Sequence, residues 1–149
     1  TNRALVADES GALVTINPGS SNNITVTMPA LEAGLEFTFA ITADAGHTSA
    51  NVVFQTTDNA VDFKGMLTIG NAAVSLGQGQ NQVVTLSGGA ESNNVLELAH
   101  SKIDFDPDGG SATFGNTVFT CICDGSHWIT TGNTTAVAGA NTIVLSNNL

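Results

Sequence analysis

The chain predicts an all-β fold, a single-domain antiparallel sandwich or barrel of the jelly-roll kind, on three observations. Apolar and polar residues alternate at a period of two, as they do where one face of a strand is buried. Turn residues interrupt that alternation at short, regular intervals. No stretch carries a convincing helical period. At 149 residues the chain suits one domain, 1–149, and is long enough to bury a real core.

Taken in order, the elements justify themselves by pattern. A strand over 13–16 ends at Asn17-Pro18-Gly19-Ser20. Ile24, Val26 and Met28 then point one way while Thr25 and Thr27 point the other. After a loop containing Pro29 and Gly34, Leu35, Phe37, Phe39 and Ile41 repeat the pattern against Glu36, Thr38 and Thr42. Asp44-Ala45-Gly46 turns the chain toward a strand over 51–55, and Lys64-Gly65 precedes one over 66–69. Gly70-Asn71 follows, and the tract Gly77-Gln78-Gly79-Gln80-Asn81 separates 73–76 from 83–86. Gly88-Gly89 leads to 95–98, and Pro107-Asp108-Gly109-Gly110 breaks 103–105 from the region of Phe114. Asp124-Gly125-Ser126 lies between strands over 118–123 and 128–130, and a last strand covers 142–145. Thr25-Val26-Thr27-Met28 echoes Val83-Val84-Thr85-Leu86 in type, but two echoes do not make a repeat.

Charged residues are 11% of the chain, against about 25% in ordinary domains. Arg3, Lys64 and Lys102 are the only Lys or Arg residues, and the formal net charge is −10. Such a surface repels phosphate backbones and anionic lipid, so neither nucleic acid nor a membrane is expected as partner. No apolar run approaches the roughly 20 residues of a membrane span, and no secretory signal is read in the opening residues. The scarcity of Lys has a second meaning. Long charged side chains lose much entropy on ordering and are depleted at interface cores, whereas Thr, Ser and Asn cost less to immobilise. A skin of this kind suits a chain that packs against copies of itself.

Cys121 and Cys123 share one strand face, but neighbours two apart strain disulfide geometry. They read as reduced, buried thiols of a protein made in a cytoplasm. In the same segment Val118 and Ile122 make the opposite face apolar as well, which predicts burial on both sides, inside a sandwich or beneath a neighbouring subunit.

Few residues carry chemistry. Asp104, Asp106 and Asp108, alternating and followed by Gly109, supply hard oxygen ligands and the bend of a calcium loop. The twelfth position of such a loop is Gly115 instead of a bidentate Glu, so the same residues also read as an acidic turn shaped by Pro107. No other cofactor is expected. Trp128 is a stacking platform for a sugar or a plug for the β-core, with His127 beside it as a second glycan contact. His47, His100 and His127 are far apart and read as hydrogen-bonded edge or surface residues. Asp124, Ser126 and His127 lie in one tight turn, where a nucleophile–base–orienter line-up does not form. The chain is therefore read as a non-enzyme.

The phrases Thr27-Met28-Pro29-Ala30, Ala33-Gly34-Leu35-Glu36-Phe37-Thr38-Phe39 and Cys123-Asp124-Gly125-Ser126-His127-Trp128 resemble the small all-β structural proteins of tailed bacterial viruses. Capsid decoration (cement) proteins and related head or tail-fibre domains are the nearest in style. The resemblance implies a jelly-roll or barrel-like subunit, a homotrimer on the outer surface of the virion, and the viral major capsid protein as partner. In that setting Phe37, Phe39, Phe119 and Trp128 form the core, and Thr/Asn-rich faces make the subunit contacts. A fibre or lectin-like module that grips a host glycan through Trp128, His127 and the Asp104–Asp108 loop is the alternative.

Overall fold

A computed structural model describes the backbone over residues 1–17, 23–42, 51–57, 63–71, 95–100, 102–107, 117–136 and 141–146, and side chains over 1–17, 23–42, 51–57, 63–68 and 117–134. In chain order the strands are β1 (Arg3–Ala4), β2 (Leu13–Ile16), β3 (Ile24–Thr27), β4 (Glu36–Ile41), β5 (Val52–Gln55), β6 (Phe63–Asn71), β7 (Val95–His100), β8 (Lys102–Pro107), β9 (Thr117–Cys123), β10 (Trp128–Ala136) and β11 (Asn141–Ser146). A 3-10 turn, Ala7–Glu9, follows β1. The strands make two sheets, a five-stranded one ordered β1-β3-β5-β8-β11 and a six-stranded one ordered β2-β4-β9-β10-β6-β7. Their apolar faces pack on each other, and at one end the edge strands β7 and β11 approach.

The first five strands alternate between the sheets, and the sequence pattern explains why. Ile24 and Val26 of β3 with Met28 just after it, and Phe37, Phe39 and Ile41 of β4 with Leu35 just before it, are all buried. Joined as a tight hairpin, β3 and β4 would add their apolar rows to one side of a single sheet and leave them uncovered. Residues 28–35 instead carry the chain across the core, so that the two rows face each other. Each second crossing returns the chain to the same sheet in the same direction, which makes β1, β3 and β5 parallel neighbours, and β2 and β4 likewise. Arg3 lies beside Val26, Leu13 beside Thr38 and Ile24 beside Val52. The chain thus coils with a period of about 25 residues, in the range of solenoid repeats, although no sequence repeat marks it.

The expected antiparallel sandwich is therefore corrected to a mixed one. Strands β1–β3, β3–β5, β2–β4 and β10–β6 pair in parallel, and the other pairs are antiparallel. Neither sheet closes on itself among the described residues, so the barrel alternative does not apply. Several strands outrun their sequence patterns. β10 continues to Ala136 because Thr131–Ala136, polar and glycine-containing, is paired on both sides over much of its length. β6 begins at Phe63, and β1 has only two residues, too few for any alternation to show. The strands expected at 73–76 and 83–86, the tract 77–82 and the Phe114 region lie outside the described residues.

The core is built on aromatic rings that join the layers. Phe54 of the five-stranded sheet meets Phe39 at 4.8 Å and Phe119 at 4.9 Å, both edge-on, the favoured geometry for paired rings. Phe39 and Phe119 lie 5.2 Å apart on neighbouring strands, and Phe37 links Phe39 at 6.4 Å to Trp128 at 5.9 Å. Phe37, Phe39, Phe119 and Trp128 are all buried, as expected. Cys121 and Cys123 are free, buried thiols on the same inner face. Desolvation pushes the Cys121 thiol up to about 12, with Thr130 Oγ1 at 3.3 Å opposing the shift.

Candidate interaction surface

The outer face of the six-stranded sheet follows from the strand parity that builds the core. With Phe37, Phe39, Phe119, Cys121, Trp128, Thr130, Phe63 and Leu67 facing inward, every alternate residue of β4, β9, β10 and β6 faces out. The register lines these outward residues up in rows across the strands. One row runs Glu36, Ile122, Ile129, Lys64. The next runs Leu13, Thr38, Thr120, Thr131, Met66, and the third Thr15, Ala40, Val118, Asn133, Thr68. Leu13, Met66, Val118, Ile122 and Ile129 are between 37% and 63% exposed, an unusual concentration of large apolar groups on one sheet face. Thr38 and Thr120 hydroxyls share a hydrogen bond of 3.0 Å across β4 and β9.

This face answers the question that β9 posed. Its inner residues are buried between the layers, while Val118 and Ile122 are uncovered in the single chain. Of the two covers expected for a strand apolar on both sides, the sandwich supplies one and leaves the other face open. Alternation alone does not mark Leu13, Met66 and Ile129 as surface residues. Adjacent apolar pairs, Leu13-Val14, Met66-Leu67 and Trp128-Ile129, carried the signal, since one member of each must point outward from a strand.

The β9–β10 hairpin holds the proposed glycan residues. Asp124 Oδ1 accepts hydrogen bonds from the backbone N–H groups of Ser126 at 2.7 Å and His127 at 2.6 Å. The Asp124 N–H donates to the His127 carbonyl at 3.1 Å, closing the loop. Gly125 sits at φ 95°, which a residue with a side chain rarely adopts. The two N–H donors, Ser126 first, hold the Asp124 carboxyl below its ordinary value. His127 Nδ1 stands 3.5 Å from Asp124 Oδ2, with the ring partly exposed. Trp128, one residue on, turns inward and is fully buried against Phe37, with no ring face open to a sugar. Its Nε1 is buried and has no hydrogen-bond partner among the described residues. Hairpin parity separates the two glycan candidates: His127 is in the turn at the surface and Trp128 is in the core. All six aromatic side chains described, Phe37, Phe39, Phe54, Phe63, Phe119 and Trp128, are buried.

The calcium candidates fall on a strand. Asp104 and Asp106 belong to β8, in register with Val144 and Thr142 of β11, and Asp104 also with Val53 of β5. The loop expected to begin by 104 is extended backbone through Pro107, because β11 pairs along all of β8 and β5 pairs with residues 102–105. Asp108 and His47 lie outside the described residues, and His100 ends β7 opposite Phe63. Among the described residues no three His, Cys, Asp or Glu side chains converge on a point that could hold a metal ion.

At the amino-terminal edge, Leu5, Val6, Met28, Pro29 and Leu31 help line an open, mostly apolar groove of about 400 Å³. An Arg3–Glu9 ion pair and the Val6 N–H, which donates to Glu9 Oε2 at 3.0 Å, pin the segment beside it. Among the described residues no helix is long and apolar enough to cross a membrane. No family model, curated protein or solved structure matches the chain.

Proposed function

We propose that the protein is a structural component of a virion, a capsid decoration protein that binds the outer surface of a shell and reinforces it by bridging neighbouring coat proteins. One observation carries this reading: an outer sheet face over β2, β4, β9, β10 and β6 that is rich in Thr and exposed apolar groups, on a chain with few charges. Such a face binds by area and shape, at low cost in side-chain entropy. Repeated over a symmetric shell, contacts that are weak singly add by avidity. The protein works on this reading as a homo-oligomer at the virion surface after synthesis in the host cytoplasm, and by binding instead of catalysis. The jelly-roll architecture belongs to the same proposal and keeps its face-to-face layers; the parallel pairs are foreign to an all-antiparallel roll.

The test is co-sedimentation with shells assembled from the coat protein of the source virus. Saturable binding that raises the shell's melting temperature supports the reading. Absence of binding to shells, together with measurable affinity for a host glycan, overturns it in favour of the fibre module.

A further inference from the structure

We infer that the outer face of the six-stranded sheet pairs with the same face of a second copy about a two-fold axis running parallel to the strands, between β9 and β10. The inference rests on the reading of this face as a contact surface, but not on the shell to which the protein is proposed to bind.

The row Glu36, Ile122, Ile129, Lys64 is the observation behind it. Across four adjacent strands it reads acid, apolar, apolar, base. A two-fold axis midway between Ile122 and Ile129 exchanges β4 with β6 and β9 with β10. It sets Glu36 over the Lys64 of a second copy, Ile122 over its Ile129, and the reverse pair at the other end. The axis leaves residues at the same height along the strands, so the next row places Thr120 over Thr131 and Thr38 over Met66. An isologous contact of this kind needs a surface that complements itself, and a row with opposite charges at its two ends does so.

Charge also permits pairing on this face. The chain carries a formal net charge of −10, so two copies repel over most orientations. The outward positions of β4, β9, β10 and β6 hold one Glu and one Lys and are neutral in sum. β7 adds Glu97, in register beside Met66, and the same axis sets its position over Leu13 of the second copy, so the full six-stranded contact carries one net negative charge per copy, small against −10. Six strands about 4.8 Å apart and about six residues long make a face of roughly 29 by 20 Å. Two copies then cover about 1,200 Å², the lower end of the range for a specific, stable association. Sheets stacked in this way lie about 10 Å apart with their strands nearly aligned, as in a sandwich.

The test is the solution mass by size-exclusion chromatography with light scattering, followed by a charge-swap series. The expected mass is twice 15.1 kDa. Glu36→Lys and Lys64→Glu each turn two attractive pairs repulsive, and each weakens dimerisation by roughly 30-fold. The double swap Glu36→Lys/Lys64→Glu restores the wild-type constant to within about threefold. Thr25→Lys, on the outer face of the other sheet, leaves it unchanged. These positions are at the surface, and circular dichroism checks that each variant is folded. A single-chain mass, a three-chain mass, or a double swap that fails to restore the dimer overturns the inference. A trimer that still binds shells would overturn the two-fold pairing alone and leave the decoration reading standing, whereas a dimer that ignores shells would do the opposite.

Discussion

Trp128 shows how one position of strand parity decides between two functions. It opens β10 directly after the turn, and the antiparallel pairing with Cys123 turns it inward. Trp128→Ala removes a fully buried ring and is expected to cost about 3–5 kcal/mol, read from urea melts. Trp128→Phe is expected to cost under about 1.5 kcal/mol, because the smaller ring also deletes an N–H that is buried without a partner among the described residues. A sugar platform would give the opposite record, normal stability and lost binding. Four residues earlier in the chain, Asp124 works on the solvent side. Its folded-state pKa lies below the unfolded value, as does that of Glu9, held down by the Val6 N–H and Arg3. Both contributions are present above the unfolded carboxylate pKa of about 4 and are lost as pH falls through the folded values. The urea midpoint should therefore drop on acidification from pH 7 to pH 3, and Asp124→Asn should flatten part of that drop. A wild-type midpoint that stays level over this range would refute the assignment.

At the scale of the element, the contact between Thr117 of β9 and Thr134 of β10 is the most instructive. Their hydroxyls share a 2.7 Å hydrogen bond within the core. Replacing either Thr by Val strands the other hydroxyl in an apolar setting and is expected to cost about 1–3 kcal/mol, whereas the double replacement should be close to neutral. Additive single effects in the cycle would show that the hydroxyls do not depend on each other. Inward Thr residues also explain where sequence reading stopped. The segments 24–28 and 35–41 were legible because each inward side chain is aliphatic or aromatic. β10 is legible only to Thr130, since Thr130 and Thr134 face the core but look like surface residues in a polar run. Alternation also says nothing about which sheet a strand joins. It therefore predicted β3 and β4 correctly as strands with buried faces, without showing that the chain crosses the core between them. Of the candidate surface, the two-sided strand β9 was visible in Val118 and Ile122. The charged row was not, because Glu36, Ile122, Ile129 and Lys64 come from four strands and meet only through pairing.

For the whole molecule, the two sheets differ in what they leave uncovered. The described outer positions of β3 and β5 are mostly polar, with Thr25, Thr27 and a Gln55 side chain that donates to Thr27 Oγ1 at 3.3 Å. The six-stranded sheet, besides its buried row, turns Leu13, Met66, Val118, Ile122 and Ile129 outward. A sandwich with one water-compatible face and one adhesive face has a direction, and that polarity suits a subunit that must attach on one side and face solvent on the other. Self-pairing and shell binding then compete for one surface or divide it, and the charge-swap variants distinguish these cases when tested against shells.

The hydrogen bond between Thr38 and Thr120 spans 82 positions of the chain, and its consequence is kinetic. During synthesis, β4 has β2 on one side but cannot gain β9 on the other until those later residues have been made. The β9–β10 hairpin closes locally, whereas the β4–β9 and β5–β8 ladders must close long loops before they gain anything. Refolding is therefore expected on the millisecond-to-second scale typical of non-local β topologies. Fluorescence of Trp128, the only Trp in the chain, can follow it in stopped flow. A microsecond phase carrying the full amplitude would contradict this order. Until the late strands arrive, the early coil exposes an unpaired strand edge, so the protein is most prone to aggregate while still being made.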